Sequence, residues 1–111
     1  MSKEILKSLV VYIKFPAQYP MLPPSITINT IFHPNIYKSG KVCLSLLDER
    51  KHLPPGSDDL IDACWRASLS IFSVLLGLKS VLEEPNISSP ANIDASKMFK
   101  RYLDRSKYLL N

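Results

Sequence analysis

Glycine is scarce in this chain, with three residues among 111 against nine prolines. Turns built mainly on proline are well fixed, so long flexible linkers are excluded. Cysteine is limited to Cys43 and Cys64. With His33 and His52 they are separated by nine, eight and eleven intervening residues, and no paired C-x-x-C or H-x-x-x-H unit exists. A structural metal site is therefore not expected, and neither is any cofactor. No apolar run approaches the length of a membrane span, so no membrane insertion is expected. No charged, then apolar, then small-residue leader pattern stands at the start. Free thiols in a reducing, cytoplasmic compartment are expected. Basic residues exceed acidic ones by 14 to 10, a net charge of +4. That excess fits an acidic partner or an ordinary solvated surface. It does not identify a nucleic-acid binder without a recognition-helix, glycine-rich or aromatic-on-sheet signature, and none is found.

What is present is enough for one packed domain spanning residues 1–111: apolar residues make up 46% of the chain. Residues 9–15 (L-V-V-Y-I-K-F) are β-branched and aromatic, and Pro16 stops them, which predicts a strand. Residues 25–32 (S-I-T-I-N-T-I-F) alternate and predict a second, antiparallel to the first. Between them residues 19–24 (Y-P-M-L-P-P) predict an extended, rigid connection. A polar loop should run over residues 48–62. Residues 69–82 are apolar almost all round, which predicts a central buried helix ended by Glu84-Pro85-Asn86. Asn92 is placed to cap a final helix whose Ala95, Met98, Phe99, Tyr102, Leu103, Leu109 and Leu110 form one stripe. No internal repeat or low-complexity segment is found.

The chemistry concentrates in residues 31–46 (I-F-H-P-N-I-Y-K-S-G-K-V-C-L-S-L), where Asn35 stands eight residues before Cys43 with a tight turn between. A cysteine thiolate is a strong nucleophile, and a thioester formed on it remains activated toward an amine. Attack by that amine builds charge on a tetrahedral oxyanion, which a neutral amide N–H can stabilise. Cys43 thus reads either as a nucleophile or as a small buried hydrophobe between Val42 and Leu44. Asn35 reads as that amide donor or as a turn former, with Pro34 and Gly40 shaping the bend. His33 reads first as a residue that bonds backbone, with general base as the alternative. Cys64, beside Trp65, reads as packing.

Taken in order, these segments resemble the ubiquitin-conjugating (E2) enzymes. The likeness is carried by Tyr19-Pro20-Met21-Leu22-Pro23-Pro24, His33-Pro34-Asn35-Ile36, Gly40-Lys41-Val42-Cys43-Leu44, Trp65, Val74-Leu75-Leu76, Glu84-Pro85-Asn86 and Pro90. It covers residues 9–110. The 22 positions from Cys43 to Trp65 resemble the inserted loop of the G-type class, which includes the enzymes of ER-linked degradation. The resemblance implies an α+β, UBC-like fold, an antiparallel meander packed on a central and a C-terminal helix. It implies Cys43 as the thioester carrier, Asn35 as oxyanion stabiliser or holder of the loop, and Ser89 beside the incoming lysine. Leu76 and Ser80 would meet the donor ubiquitin. Met21, Leu22 and Trp65 would meet a RING-type E3 ligase, and Asp58 and Asp59 would stand for the acidic loop. His33 and Pro34 would be structural. Ubiquitin or a ubiquitin-like protein, an E1 activating enzyme and an E3 are the implied partners, in the cytoplasm, at the cytosolic face of the ER or in the nucleus.

The sequence also departs from the family pattern. Only residues 1–8 precede the strand that matches the third of the family's meander. The first helix and first two strands are therefore expected to be missing, leaving about two strands. Arg66-Ala67 stand where Ser-Pro is usual, and Asp48 where this class often has His. The main expectation is an E2. A non-catalytic E2-fold binding protein is the alternative that a missing N-terminal helix would favour.

Overall fold

A computed structural model describes residues 8–29, 31–49, 55–56 and 64–110, the last three without their side chains. Two short antiparallel strands come first, β1 (Tyr12–Lys14) and β2 (Ser25–Thr27). Tyr12 pairs with Thr27, Ile13 with Ile26 and Lys14 with Ser25. Both strands are shorter than the sequence predicts. β2 also has a second neighbour: Val42 N donates to Ile26 O at 2.9 Å and, just past the strand, Ile28 N donates to Gly40 O at 2.8 Å. Residues 26–28 are thus held by β1 on one side and by the segment bearing Gly40 and Val42 on the other. This arrangement buries Ile26, Ile28, Ile36 and Val42 together with Leu44, Trp65, Val74 and Leu78.

The proline-rich connection is not extended throughout. Tyr19 N donates to Pro16 O at 3.0 Å and Met21 N to Gln18 O at 2.8 Å, so its first half is a folded turn with a cis Tyr19–Pro20 bond. Trp65 fixes it from below, donating from Nε1 to Pro20 O at 2.9 Å. Tyr19 lies between the rings of Phe15 and Trp65, with centroids 4.8 and 6.0 Å away.

Helix α1 (Ile71–Glu83) starts at Ser70, whose hydroxyl accepts from Ser73 N at 3.2 Å. That caps one of the donors a helix start leaves open. Ahead of it, Trp65 N donates to Asp48 O at 2.9 Å. The expectation of a helix buried all round is corrected. α1 buries Val74 and Leu78, while Phe72 is 70% and Leu76 52% exposed. The body covers one face, over Leu44 and Leu46, where Gly77 sits against their side chains.

Helix α2 (Ile93–Leu110) is capped by Asn92, whose Oδ1 accepts from Ala95 N at 3.1 Å. The predicted apolar stripe is covered only at its start. Ala95 and Ser96 are buried, but Met98, Tyr102 and Leu103 are exposed, because only the first turns lie against the described body. The side chains of Leu109 and Leu110 fall outside the described residues. No described helix is long and apolar enough to cross a membrane.

Candidate active site

The segment from His33 to Leu44 folds back on itself at Gly40. Gly40 N donates to Tyr37 O at 2.8 Å and Tyr37 N to Lys41 O at 2.9 Å. Gly40 adopts φ +93°, a left-handed conformation that suits glycine. A Cβ there would collide with Asn29 Oδ1 and come within 3.1 Å of Ile28 O. The hairpin ends with Cys43 N donating to Asn35 O at 2.8 Å. Cys43 and Asn35 are thereby brought side by side through their backbones. The half-buried Cys43 lines a cavity of about 360 Å³ together with Pro23, Tyr37, Lys41, Asp48 and Glu49. Cys43 and Cys64 form no disulfide.

His33 is 6% exposed, and both ring nitrogens are engaged. Nε2 lies 3.0 Å from Val81 O, near the end of α1, and Nδ1 accepts from Asn35 N at 3.0 Å. That assignment places the ring proton on Nε2, since a carbonyl can only accept. Burial holds the imidazole below its ordinary pKa, partly offset by the carbonyls of Val81 and Leu82.

Asn35 is buried, and its amide is bound at both ends to the backbone of Asn86. Nδ2 donates to Asn86 O at 2.8 Å, and Asn86 N donates to Oδ1 at 2.8 Å. Asn86 in turn accepts on its own Oδ1 from Ser88 N at 3.0 Å and from the Ser88 hydroxyl at 2.6 Å. Pro34 O accepts from Ala91 N and Asn92 N at 2.8 and 3.0 Å. The turn before Cys43 therefore organises the whole connection between α1 and α2. Ser89 is exposed on that connection. Neither Asn86 nor Pro34 O is visible in the sequence as a contact. The only signal was that H-P-N and E-P-N are both turn formers.

The other singled-out residues lie on separate surfaces. Met21 is 74% exposed on the proline-rich turn, with Leu22 half-buried beside it. Trp65, 6% exposed, lies beneath that turn and offers little surface of its own. Leu76 and Ser80 are exposed on α1 at a spacing that puts them on one face, and Phe72 continues the same strip. Sequence reading missed Phe72 as a surface residue because it treated the helix as wholly buried. Asp58 and Asp59 lie outside the described residues, as does most of the stretch 48–62 expected to be a loop.

A family model described as ubiquitin-conjugating enzyme matches residues 8–109. A probable ubiquitin-conjugating enzyme E2 of Encephalitozoon cuniculi is 39% identical over 97 residues, covering 86% of this chain and 44% of that protein. The ubiquitin-conjugating enzyme E2-18 kDa of Schizosaccharomyces pombe is 40% identical over 100 residues, 86% of this chain and 57% of the relative. The E2-34 kDa enzyme of Saccharomyces cerevisiae is 35% identical over 95 residues, 85% and 32%. The chain spans about half the length of the curated relatives it matches. Its matched region includes the hairpin from His33 to Cys43 and both helices, and on that match the chain belongs to the ubiquitin-conjugating enzyme family.

Proposed function

We propose that this chain is a single E2 core domain that carries ubiquitin as a thioester on Cys43. The thiolate of Cys43 attacks the activated ubiquitin carboxyl held on an E1 thiol, and the acyl group moves sulfur to sulfur. A lysine amine brought by an E3-bound substrate then attacks the thioester carbonyl. The N–C bond forms, the C–S bond breaks, and Cys43 returns to the thiol. The observation that carries this reading is the pairing of a half-buried Cys43, at the edge of a cavity, with Asn35 through a 2.8 Å backbone bond. A loop-holding part for Asn35 is supported by its two bonds to Asn86, which commit its amide oxygen and one of its two N–H donors. Ser89, on the connection so held, would face the acceptor amine.

The exposed strip of Phe72, Leu76 and Ser80 suits the donor ubiquitin, and the turn bearing Met21 suits a RING-type E3. The 22 positions from Cys43 to Trp65 support placing the chain with the inserted-loop G-type enzymes.

The test is incubation with E1, ATP and ubiquitin, read on a non-reducing gel. The reading requires a band heavier by one ubiquitin, removed by reducing thiol and absent in Cys43→Ala. A folded sample that forms no thiol-sensitive adduct would overturn it.

A further inference from the structure

The two sides of β1 and β2 differ in what they meet. Val42 N donates to Ile26 O and Ile28 N to Gly40 O, so Ile26 and Ile28 turn their backbone polar groups toward the segment that leads to Cys43. In an antiparallel ladder, successive residues turn N–H and C=O to opposite sides. Ser25 and Thr27 therefore face β1, where their partners are Lys14 and Tyr12. Ile13, between those two, turns its N–H and C=O away from β2, and so does Val11 one step before Tyr12. Among the described residues, these outward groups of Val11 and Ile13 meet no hydrogen-bond partner. The side chains alternate as well. Val11 and Ile13 pack on the core, while Val10, Tyr12 and Lys14 are exposed. Leu9 and Phe15, at the ends of the stretch, are exposed too. An open edge of this make-up is a template for another strand, and two strands alone make a marginal sheet.

We propose that β1 pairs with β1 of a second copy of this chain, antiparallel across a two-fold axis, so that two sheets join into one. Outward-facing residues must meet outward-facing residues, which leaves few registers. The register centred on Tyr12 pairs all of residues 9–15 and stops short of Pro16, which has no N–H to donate. In it Val11 meets Ile13 of the second copy and Ile13 meets Val11, each pair exchanging both backbone bonds. Their side chains carry the apolar layer across the join. On the outer face Tyr12 meets Tyr12, with Cα atoms about 4.5 Å apart, as an aromatic cross-strand pair. Lys14 meets Val10 and not another Lys14, so no like charges oppose each other. A second copy is the occupant because the stretch is complementary to itself in this register. Two-fold pairing occupies both open edges, so the assembly closes at two copies. The join lies across β2 from the hairpin bearing Cys43, and no β1 residue lines the Cys43 cavity. The inference stands independently of the thioester reading.

The experiment uses the 111-residue chain under reducing conditions, with its mass read by light scattering across a dilution series. The proposal requires twice the chain's mass at high concentration, falling to a single chain on dilution. Tyr12→Lys sets two ammonium groups against each other at the axis and removes the aromatic pair. It should weaken the dimer by about tenfold or more, with an unchanged circular dichroism spectrum. Two further variants read the register without relying on affinity. Under mild oxidation Tyr12→Cys should give a disulfide joining position 12 of both copies, since the Cα spacing there lies within disulfide range. Lys14→Cys should not, since its two copies stand about 13 Å apart along the join. Peptide mass spectrometry distinguishes these links from any through Cys43 or Cys64. Should Tyr12→Lys fail to fold, the cross-linking pair decides alone. A chain that stays monomeric at every concentration, a dimer undisturbed by a folded Tyr12→Lys, or equal cross-linking at both positions would overturn the proposal. Assembly beyond two copies would overturn it as well.

Discussion

Asn35 and Asn86 lie 51 residues apart in the chain and are joined by two hydrogen bonds of 2.8 Å, side-chain amide to backbone amide. One side chain supplies a donor and an acceptor to the same peptide unit pair. The loop before Cys43 and the loop after α1 are thereby a single unit.

Removing that amide should loosen both loops. Asn35→Ala leaves Asn86 N–H and C=O without their partners, and each lost bond in a part-buried setting costs about 1 kcal/mol or more. We expect a loss of about 1–3 kcal/mol in urea unfolding, with slower transfer from the Cys43 thioester to lysine. Asn35→Asp should be at least as harmful, because a carboxylate oxygen replaces the donor facing Asn86 O. An unchanged urea midpoint in both variants would show that the pair contributes nothing.

His33 sets a pH dependence. Its Nδ1 accepts from Asn35 N, which an imidazolium cannot do. Burial lowers its pKa in the folded chain relative to the unfolded one, so the unfolded state binds the proton more readily. The neutral ring's contribution is therefore fully present above the unfolded value, about 6.5, and is lost as pH falls through the interval down to the depressed folded value. Denaturation midpoints between about pH 7.5 and 5 should fall toward acid. The fall should be smaller in His33→Gln, which has no titration there. Parallel pH profiles for the two proteins would refute this assignment.

Gly40 should not tolerate a side chain. Its φ of +93° is strained for other residues, and a Cβ would meet Asn29 Oδ1 and Ile28 O. Strained backbone of this kind costs about 1–3 kcal/mol, and the clash adds to it. Gly40→Ala should lower the urea midpoint, and Asn29→Ala in the same chain should recover only part of the loss. Complete recovery would place the whole cost in the contact and none in the backbone.

Trp65 separates support from surface. Trp65→Phe keeps most of the buried ring but deletes the Nε1 donor to Pro20 O, a change of about 0.5–1.5 kcal/mol. Met21→Ala, on the exposed turn above, should leave stability unchanged within about 0.5 kcal/mol. Its effect should appear in E3-stimulated discharge of the thioester. A larger stability loss in Met21→Ala than in Trp65→Phe would reverse these assignments.

The sequence made the local features legible. β1 and β2 pair as their alternation indicates, α1 ends at Glu84-Pro85-Asn86, and Asn92 caps α2. Each depends on residues near in the chain. What it did not show depends on which surfaces meet. Apolar residues at Phe72, Leu75 and Leu76 announce a buried helix, yet burial needs a second layer on that side, and the described residues supply one only under Val74 and Leu78. The same holds for Met98 and Tyr102 on α2. Three prolines in six residues suggested an extended connection, but the bonds from Tyr19 and Met21 back to Pro16 and Gln18 turn it. At the site, the turn before Cys43 could be read from H-P-N and Gly40. The partner of Asn35 could not, because spacing in sequence carries no information on a contact 51 residues away.

The proposed function assigns the acyl group to Cys43 and not to Cys64. The most direct measurement is mass spectrometry of the acid-quenched, unreduced chain after one round of charging with E1, ATP and ubiquitin. It predicts one ubiquitin per chain, joined at Cys43 and released by hydroxylamine, with the buried Cys64 unmodified. Ubiquitin found on Cys64, or a folded chain with Cys43 still free, would contradict it.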